Sequence, residues 1–62
     1  MILPNDEICR CALDEMEEFL DDLTAWQHEF VTSNHDRKSF TPRQREVIAS
    51  FGEQYTIKAL QR

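Results

Sequence analysis

The chain has 62 residues and a formal net charge of −5, with twelve acidic and seven basic side chains. A chain this short predicts one domain, residues 1–62, whose core supplies only about 3–5 kcal/mol of net stability. It has no apolar run of the ~18–20 residues that a membrane span needs and no signal-peptide pattern, so we expect a cytoplasmic protein.

Apolar residues recur at alternating spacings of three and four through the first half of the chain. The set consists of Cys9, Ala12, Met16, Phe19, Leu23, Trp26 and Phe30. This repeat is typical of a helix that packs lengthwise against another helix. Asn5 or Asp6 is placed to cap its start, and Asn34 suits the left-handed conformation that often ends a helix. The pattern predicts one long helix over 6–32.

A polar segment, residues 33–39, separates this helix from a second one. Thr41 is a favourable N-cap, Pro42 suits the first helical position, and Gln44 completes a capping box. We therefore predict a second helix over 41–60.

The apolar residues of the second helix follow helical spacing on one face. They are Val47, Ile48, Phe51, Tyr55 and Ala59. Gly52 lies on the same face, where it marks a kink, a helix end or the close approach of a bulky side chain. Ile57 points away from this face.

Two helices joined by a short polar connection usually return antiparallel, so the sequence predicts an all-α helical hairpin. Its aromatic core is expected from Trp26, Phe30, Phe51 and Tyr55. The longer helix overhangs the shorter one and leaves part of its apolar stripe uncovered. We expect a homodimeric four-helix arrangement in which a second copy covers these residues: Cys9, Ala12, Leu13, Met16 and Phe19.

Charge divides the chain into an acidic and a basic half. Residues 1–32 carry nine acids and one base, and residues 33–62 carry six bases and three acids. The acidic face of the first helix consists of Asp14, Glu17, Glu18, Asp21 and Asp22. Solubility alone explains many acidic faces, but this one also suits docking onto a basic protein surface. We expect a small non-catalytic regulator, an adaptor or inhibitor, that binds a larger protein. In size and composition the chain is similar to small accessory proteins of phages and mobile elements.

Residues 40–48 read Phe-Thr-Pro-Arg-Gln-Arg-Glu-Val-Ile. This run resembles the opening of LuxR-type helix-turn-helix domains and, less closely, sigma-factor region four. Thr56, Lys58 and Leu60 match the start of that family's second helix. The chain departs from the pattern at Gln54, where the family has a turn glycine, and at Ser50, where it has a core leucine. The base-reading helix would follow Arg62, so the resemblance implies a fragment of the scaffold.

A nucleic-acid interface is the alternative function. Its contacts would come from four bases: Arg37, Lys38, Arg43 and Arg45. Such a patch would serve a DNA-binding or transcription-associated module through phosphate contacts. The competing interpretation is that these bases neutralise the acidic half within the fold, against Glu15, Asp22 or Glu29.

Catalysis and metal binding find little support in the sequence. Cys9 and Cys11 point apart on a helix and predict free thiols rather than a disulfide. His28 and His35 lie too far along the chain to join them in a zinc site without breaking the helix. No catalytic triad or phosphate-binding glycine loop is present. We expect no metal, no cofactor and no enzymatic activity.

Overall fold

Three α-helices and two 3₁₀ segments form the part of the chain that the computed structural model describes, residues 3–61. The α-helices are α1, Asp6–Met16, α2, Ala25–Ser33, and α3, Pro42–Gln54. The first 3₁₀ segment, Glu17–Asp22, connects α1 to α2, and the second, Lys58–Leu60, follows α3. No strand occurs between residues 3 and 61, which confirms the all-α class. This part of the chain has three α-helices, whereas the predicted hairpin has two.

The predicted continuous helix over 6–32 is wrong. The α-helix ends at Met16, and Phe19 has non-helical dihedral angles, with φ −136° and ψ 43°. Thr24 then starts α2 with a capping box: its hydroxyl accepts from the N–H of Gln27 at 3.2 Å, and the Gln27 side chain accepts from the N–H of Thr24 at 3.1 Å. These bonds stabilise a helix start where the prediction had a helix interior. Acidic side chains four residues apart would also repel one another in a continuous helix.

The second predicted helix begins where expected and ends early. The hydroxyl of Thr41 accepts from the N–H of Gln44 at 3.2 Å, and the Gln44 side chain accepts from the N–H of Thr41 at 2.9 Å. This confirms the predicted capping box. The helix ends at Gln54, and Tyr55 is extended, so the predicted range of 41–60 is too long.

The C-terminal part of the chain folds back onto α1 after α3 ends. The two carboxylate oxygens of Glu15 accept the N–H groups of Lys58 and Ala59, each at 2.8 Å. Gly52 faces Leu60, whose Cδ1 lies only 3.0 Å from the position that a Cβ on this glycine would occupy. Of the three interpretations of Gly52, this contact supports the close approach of a bulky side chain.

The core draws on every α-helix. Its buried apolar residues are Cys9, Ala12, Leu13, Met16, Val31, Phe40, Ile48, Phe51 and Ile57. α1 packs against both α3 and the second 3₁₀ segment. Ile57 points inward because the chain has left the helix before it.

The α1 residues expected in a dimer interface are already covered within one chain. Cys9, Ala12, Leu13 and Met16 have no exposed surface, and Phe19 is half-buried. Within one chain, α3 and the second 3₁₀ segment pack on α1, where we expected a second copy. The homodimer stays a prediction, and it requires a surface other than these four residues.

Asn34 ends α2 without the left-handed conformation that we expected. Its dihedral angles are φ −112° and ψ 13°. The side chain instead satisfies the helix end directly, because Nδ2 donates to the carbonyl oxygen of Phe30 at 2.7 Å. Asn34 is buried, which fixes the start of the loop between α2 and α3.

Candidate functional site

The acidic residues predicted for partner binding lie at the end of α1 and along the first 3₁₀ segment. We call this set the acidic surface: Asp14, Glu17, Glu18, Asp21 and Asp22. Four of the five are exposed, and Glu17 is half-buried. The break in the helix therefore leaves these acids accessible but changes the surface from a straight face to a bent one.

Arg10 forms ion pairs with two members of the acidic surface. Its Nη2 atom lies 3.1 Å from Oδ1 of Asp14 and 3.6 Å from Oε2 of Glu17. Its Nη1 atom donates to the carbonyl oxygens of Asn34 and Arg37, each at 2.8 Å. The guanidinium group thus joins α1 to the loop after α2, and its role in the structure is to stabilise the fold.

Three members of the acidic surface keep an uncompensated charge. Glu18, Asp21 and Asp22, called here the three unpaired acids, take part in none of the ion pairs or side-chain hydrogen bonds formed within residues 3–61. The first 3₁₀ segment carries Phe19 and Leu20 and is followed directly by Leu23, and all three pack against the core. The apolar side chains anchor the segment while the acids face outward.

Arg45, one of the four predicted nucleic-acid contacts, is held within the fold. Its Nη2 atom lies 2.8 Å from Oδ1 of Asp6, which also accepts the N–H of Phe40 at 3.0 Å. The Phe40 hydrogen bond holds the pKa of the Asp6 carboxyl below its ordinary value, and Arg45 adds to this effect against an opposing contribution from desolvation. The interpretation that the bases neutralise acids applies to this residue, with a partner that the sequence did not suggest.

The other three predicted contacts lie in the loop and the first turn of α3. Arg37 donates from Nε to Oδ1 of Asn34 at 2.9 Å. Lys38 and Arg43 are exposed and form no ion pair with the residues that the structure describes. Two of the four bases are therefore available to a ligand without breaking a contact of the fold.

Trp26 was expected in an aromatic core but is 60% exposed, which corrects that prediction. Its ring stacks on Phe30 at a centroid distance of 5.6 Å and meets the edge of Phe51 at 6.1 Å. Phe51 is buried, and Phe30 is half-buried. A new helix starts after the capping box at Thr24, and the heptad spacing assumes one continuous helix. The heptad position of Trp26 therefore does not predict the direction of its indole.

A shallow depression of about 350 Å³ lies beside this indole, and we call it the Trp26 depression. It is lined by Trp26, Glu29, Phe30, Ser33, Asn34 and Gln44. The motif Thr24-X-X-Gln27 is the sequence signal for the exposure of Trp26, because it predicts a helix start in the middle of the heptad repeat and so a different direction for the indole. A smaller depression of about 190 Å³ is lined by Leu3, Glu46, Ala49, Ser50 and Glu53.

The two thiols lie in different environments. Cys9 is fully buried, and burial raises the pKa of its thiol, whereas Cys11 is exposed. Between residues 3 and 61, no three potential metal ligands among His, Cys, Asp and Glu side chains come together. No helix in the same part of the chain is long and apolar enough to cross a membrane.

Comparison with protein-family models, with curated proteins and with solved structures gives no match for this chain.

Proposed function

We propose that this protein is a non-catalytic regulator that binds a basic surface on a larger protein, as an adaptor or an inhibitor. The observation that supports this function is the group of three unpaired acids. They belong to a stretch, residues 14–29, that contains seven acids and no lysine or arginine. Such a concentration of charge attracts a basic partner over a distance and speeds the encounter.

The first 3₁₀ segment suits this role because the core holds it in place. Packing of Phe19, Leu20 and Leu23 on the core holds the backbone, so little backbone freedom is lost when a partner binds. The partner contributes the opposite charge. A protein surface that otherwise holds nucleic acid has the required chemistry, and occupying it would block that ligand.

The proposal is tested by neutralising the three unpaired acids with side chains of the same shape: Glu18→Gln, Asp21→Asn and Asp22→Asn. We expect the wild-type protein to capture a specific protein from a cell lysate and this variant to lose it. A matched control removes three exposed acids elsewhere, with Glu7→Gln, Glu46→Gln and Glu53→Gln, and should retain capture. Equal capture by both variants, or no specific capture by the wild type, would contradict the proposal. Capture should also weaken as salt screens the charges.

The second candidate is the DNA-binding or transcription-associated module, and the exposure of Lys38 and Arg43 favours it. These two bases flank the start of the segment that resembles a LuxR-type domain. Binding through them would be largely independent of sequence and would weaken steeply with salt. A fluorescence-anisotropy titration with labelled duplex and single-stranded DNA at about 50 mM salt tests this function where electrostatic binding is strong. No binding of either DNA would exclude it.

A further inference from the structure

We infer that the Trp26 depression holds a cationic side chain, preferably an arginine, of the basic partner. This inference depends on the proposed function for the class of the partner, and it names a contact that lies outside the acidic surface. The aromatic ring, the carboxylate and the surrounding charge of the depression each support it.

The indole of Trp26 provides a flat and well-held platform. The ring is stacked on Phe30 and contacts the edge of the buried Phe51, so packing fixes its orientation even though 60% of its surface is exposed. Tryptophan is the aromatic ring that attracts cations best, and the planar guanidinium group stacks on such rings. Tryptophan and arginine are also enriched among the residues that contribute most to protein interfaces.

Glu29 places a carboxylate at the same depression. The side chain is exposed and takes part in none of the ion pairs formed between residues 3 and 61. Two amide oxygens of the lining are already occupied, because Oδ1 of Asn34 receives Nε of Arg37 at 2.9 Å and Oε1 of Gln44 receives the N–H of Thr41 at 2.9 Å. Glu29 is therefore the charged acceptor of the lining that an incoming guanidinium group would find open, beside the ring on which it stacks.

The surrounding charge favours a cationic occupant over a second copy of the chain. A symmetric dimer formed here would place the same depression on both sides of the interface and bring one Glu29 toward the other. Like charges at an interface disfavour that contact. A basic side chain would instead bring the charge that residues 14–29 lack.

The experiment uses the fluorescence of Trp26, which is the single tryptophan of the chain. The probe is a tri-arginine peptide with both ends blocked, titrated at low salt, and its control is the tri-citrulline peptide, which has a similar shape and no charge. We expect the arginine peptide alone to change the emission. Glu29→Gln should weaken its binding about fivefold, the upper range for an exposed ion pair. Glu53→Gln, an equal loss of charge at an exposed position of α3, should change it less than twofold.

Several outcomes would overturn the inference. These are equal binding of the citrulline peptide, no change in emission, and equal weakening by Glu29→Gln and Glu53→Gln. A change of emission with protein concentration alone would assign the depression to a second copy. The variant that lacks the three unpaired acids separates this inference from the proposed function. If that variant loses the peptide while Glu29→Gln retains it, the acidic surface binds and the Trp26 depression does not. The reverse result would support the depression and contradict the acidic surface.

Discussion

Arg10 both pairs with two acids and links two distant segments of the fold. It is the single base of residues 1–32, and its guanidinium group joins α1 to the carbonyl oxygens of Asn34 and Arg37. Its side chain therefore connects two segments that lie far apart in the chain.

Replacing Arg10 with methionine should destabilise the protein by about 1–3 kcal/mol, because the carbonyl oxygen of the buried Asn34 loses its charged donor. The measurement is urea unfolding followed by far-UV circular dichroism. Arg43→Met, at an exposed position without an ion pair between residues 3 and 61, is the matched control and should change stability by less than about 0.5 kcal/mol. Equal effects of the two substitutions would show that the Arg10 contacts contribute nothing beyond charge.

Asp6 makes the stability depend on pH in the acidic range. Its pKa is lower in the folded chain than in the unfolded chain, chiefly because the ionised carboxylate accepts the N–H of Phe40. The stabilisation is therefore complete above the unfolded pKa of about 3.9 and is lost as the pH falls through the folded pKa.

The variant Asp6→Asn should accordingly be less stable than the wild type at neutral pH, and the difference should shrink at about pH 3 or below. Urea midpoints at the two pH values measure it. A difference that stays constant with pH would mean that the charge of Asp6 does not contribute and that hydrogen bonding alone explains the effect.

At the scale of elements, the break between α1 and α2 determines the architecture. Thr24 lies in a helix interior in the predicted structure and at an N-cap in the observed one. The two environments predict opposite changes in stability when Thr24 is replaced with alanine.

Thr24→Ala should destabilise the protein by about 1 kcal/mol, because the N–H of Gln27 loses its acceptor. In a continuous helix the same change would stabilise the protein by a few tenths of a kcal/mol, since alanine is the better helix former. Thermal or urea unfolding distinguishes the two signs. Thr24→Ser preserves the hydroxyl and should be about as stable as the wild type. A Thr24→Ala variant more stable than the wild type would instead support the continuous helix over 6–32.

Local signals in the sequence predicted the helix starts better than periodicity predicted the helix lengths. Asn5, one of the two predicted caps of the first helix, and the predicted cap Thr41 both cap their helices, because capping depends on neighbouring residues only. The heptad repeat runs through Thr24 without interruption, and only the capping box reveals the restart there. The end of α3 at Gln54 depends on the contact between the C-terminal segment and α1, which no local pattern contains.

The candidate site was predictable by residue type but not by accessibility. The sequence identifies the acidic surface, yet only the structure shows that Arg10 engages Asp14 and Glu17 and leaves the three unpaired acids. The exposure of Trp26 was missed because a heptad position was assigned across a break in the helix.

For the whole molecule, the C-terminal segment is as important to the core as the helices. Ile57 is buried to 99% and lies between α3 and the second 3₁₀ segment, which packs on α1. A domain of this size has little stability to lose.

Ile57→Ala should cost about 2–5 kcal/mol, enough to unfold much of the population, and Ile57→Val should cost about 0.5–1.5 kcal/mol. Circular dichroism at 25 °C and urea unfolding report both effects. The exposed neighbour Lys58 provides the control through Lys58→Ala, which retains the backbone N–H that Glu15 accepts. If the Ile57 variants are as stable as the control, the C-terminal segment does not belong to the cooperative core.

The contact between Glu15 and the second 3₁₀ segment also has a consequence for biosynthesis. The hydrogen-bonded residues are separated by 43 and 44 positions in a chain of 62. The apolar face of α1 is therefore synthesised before the C-terminal segment that covers part of it. The complete fold therefore requires the C-terminal segment, and a chain that lacks it leaves Leu13 and Met16 without part of their cover.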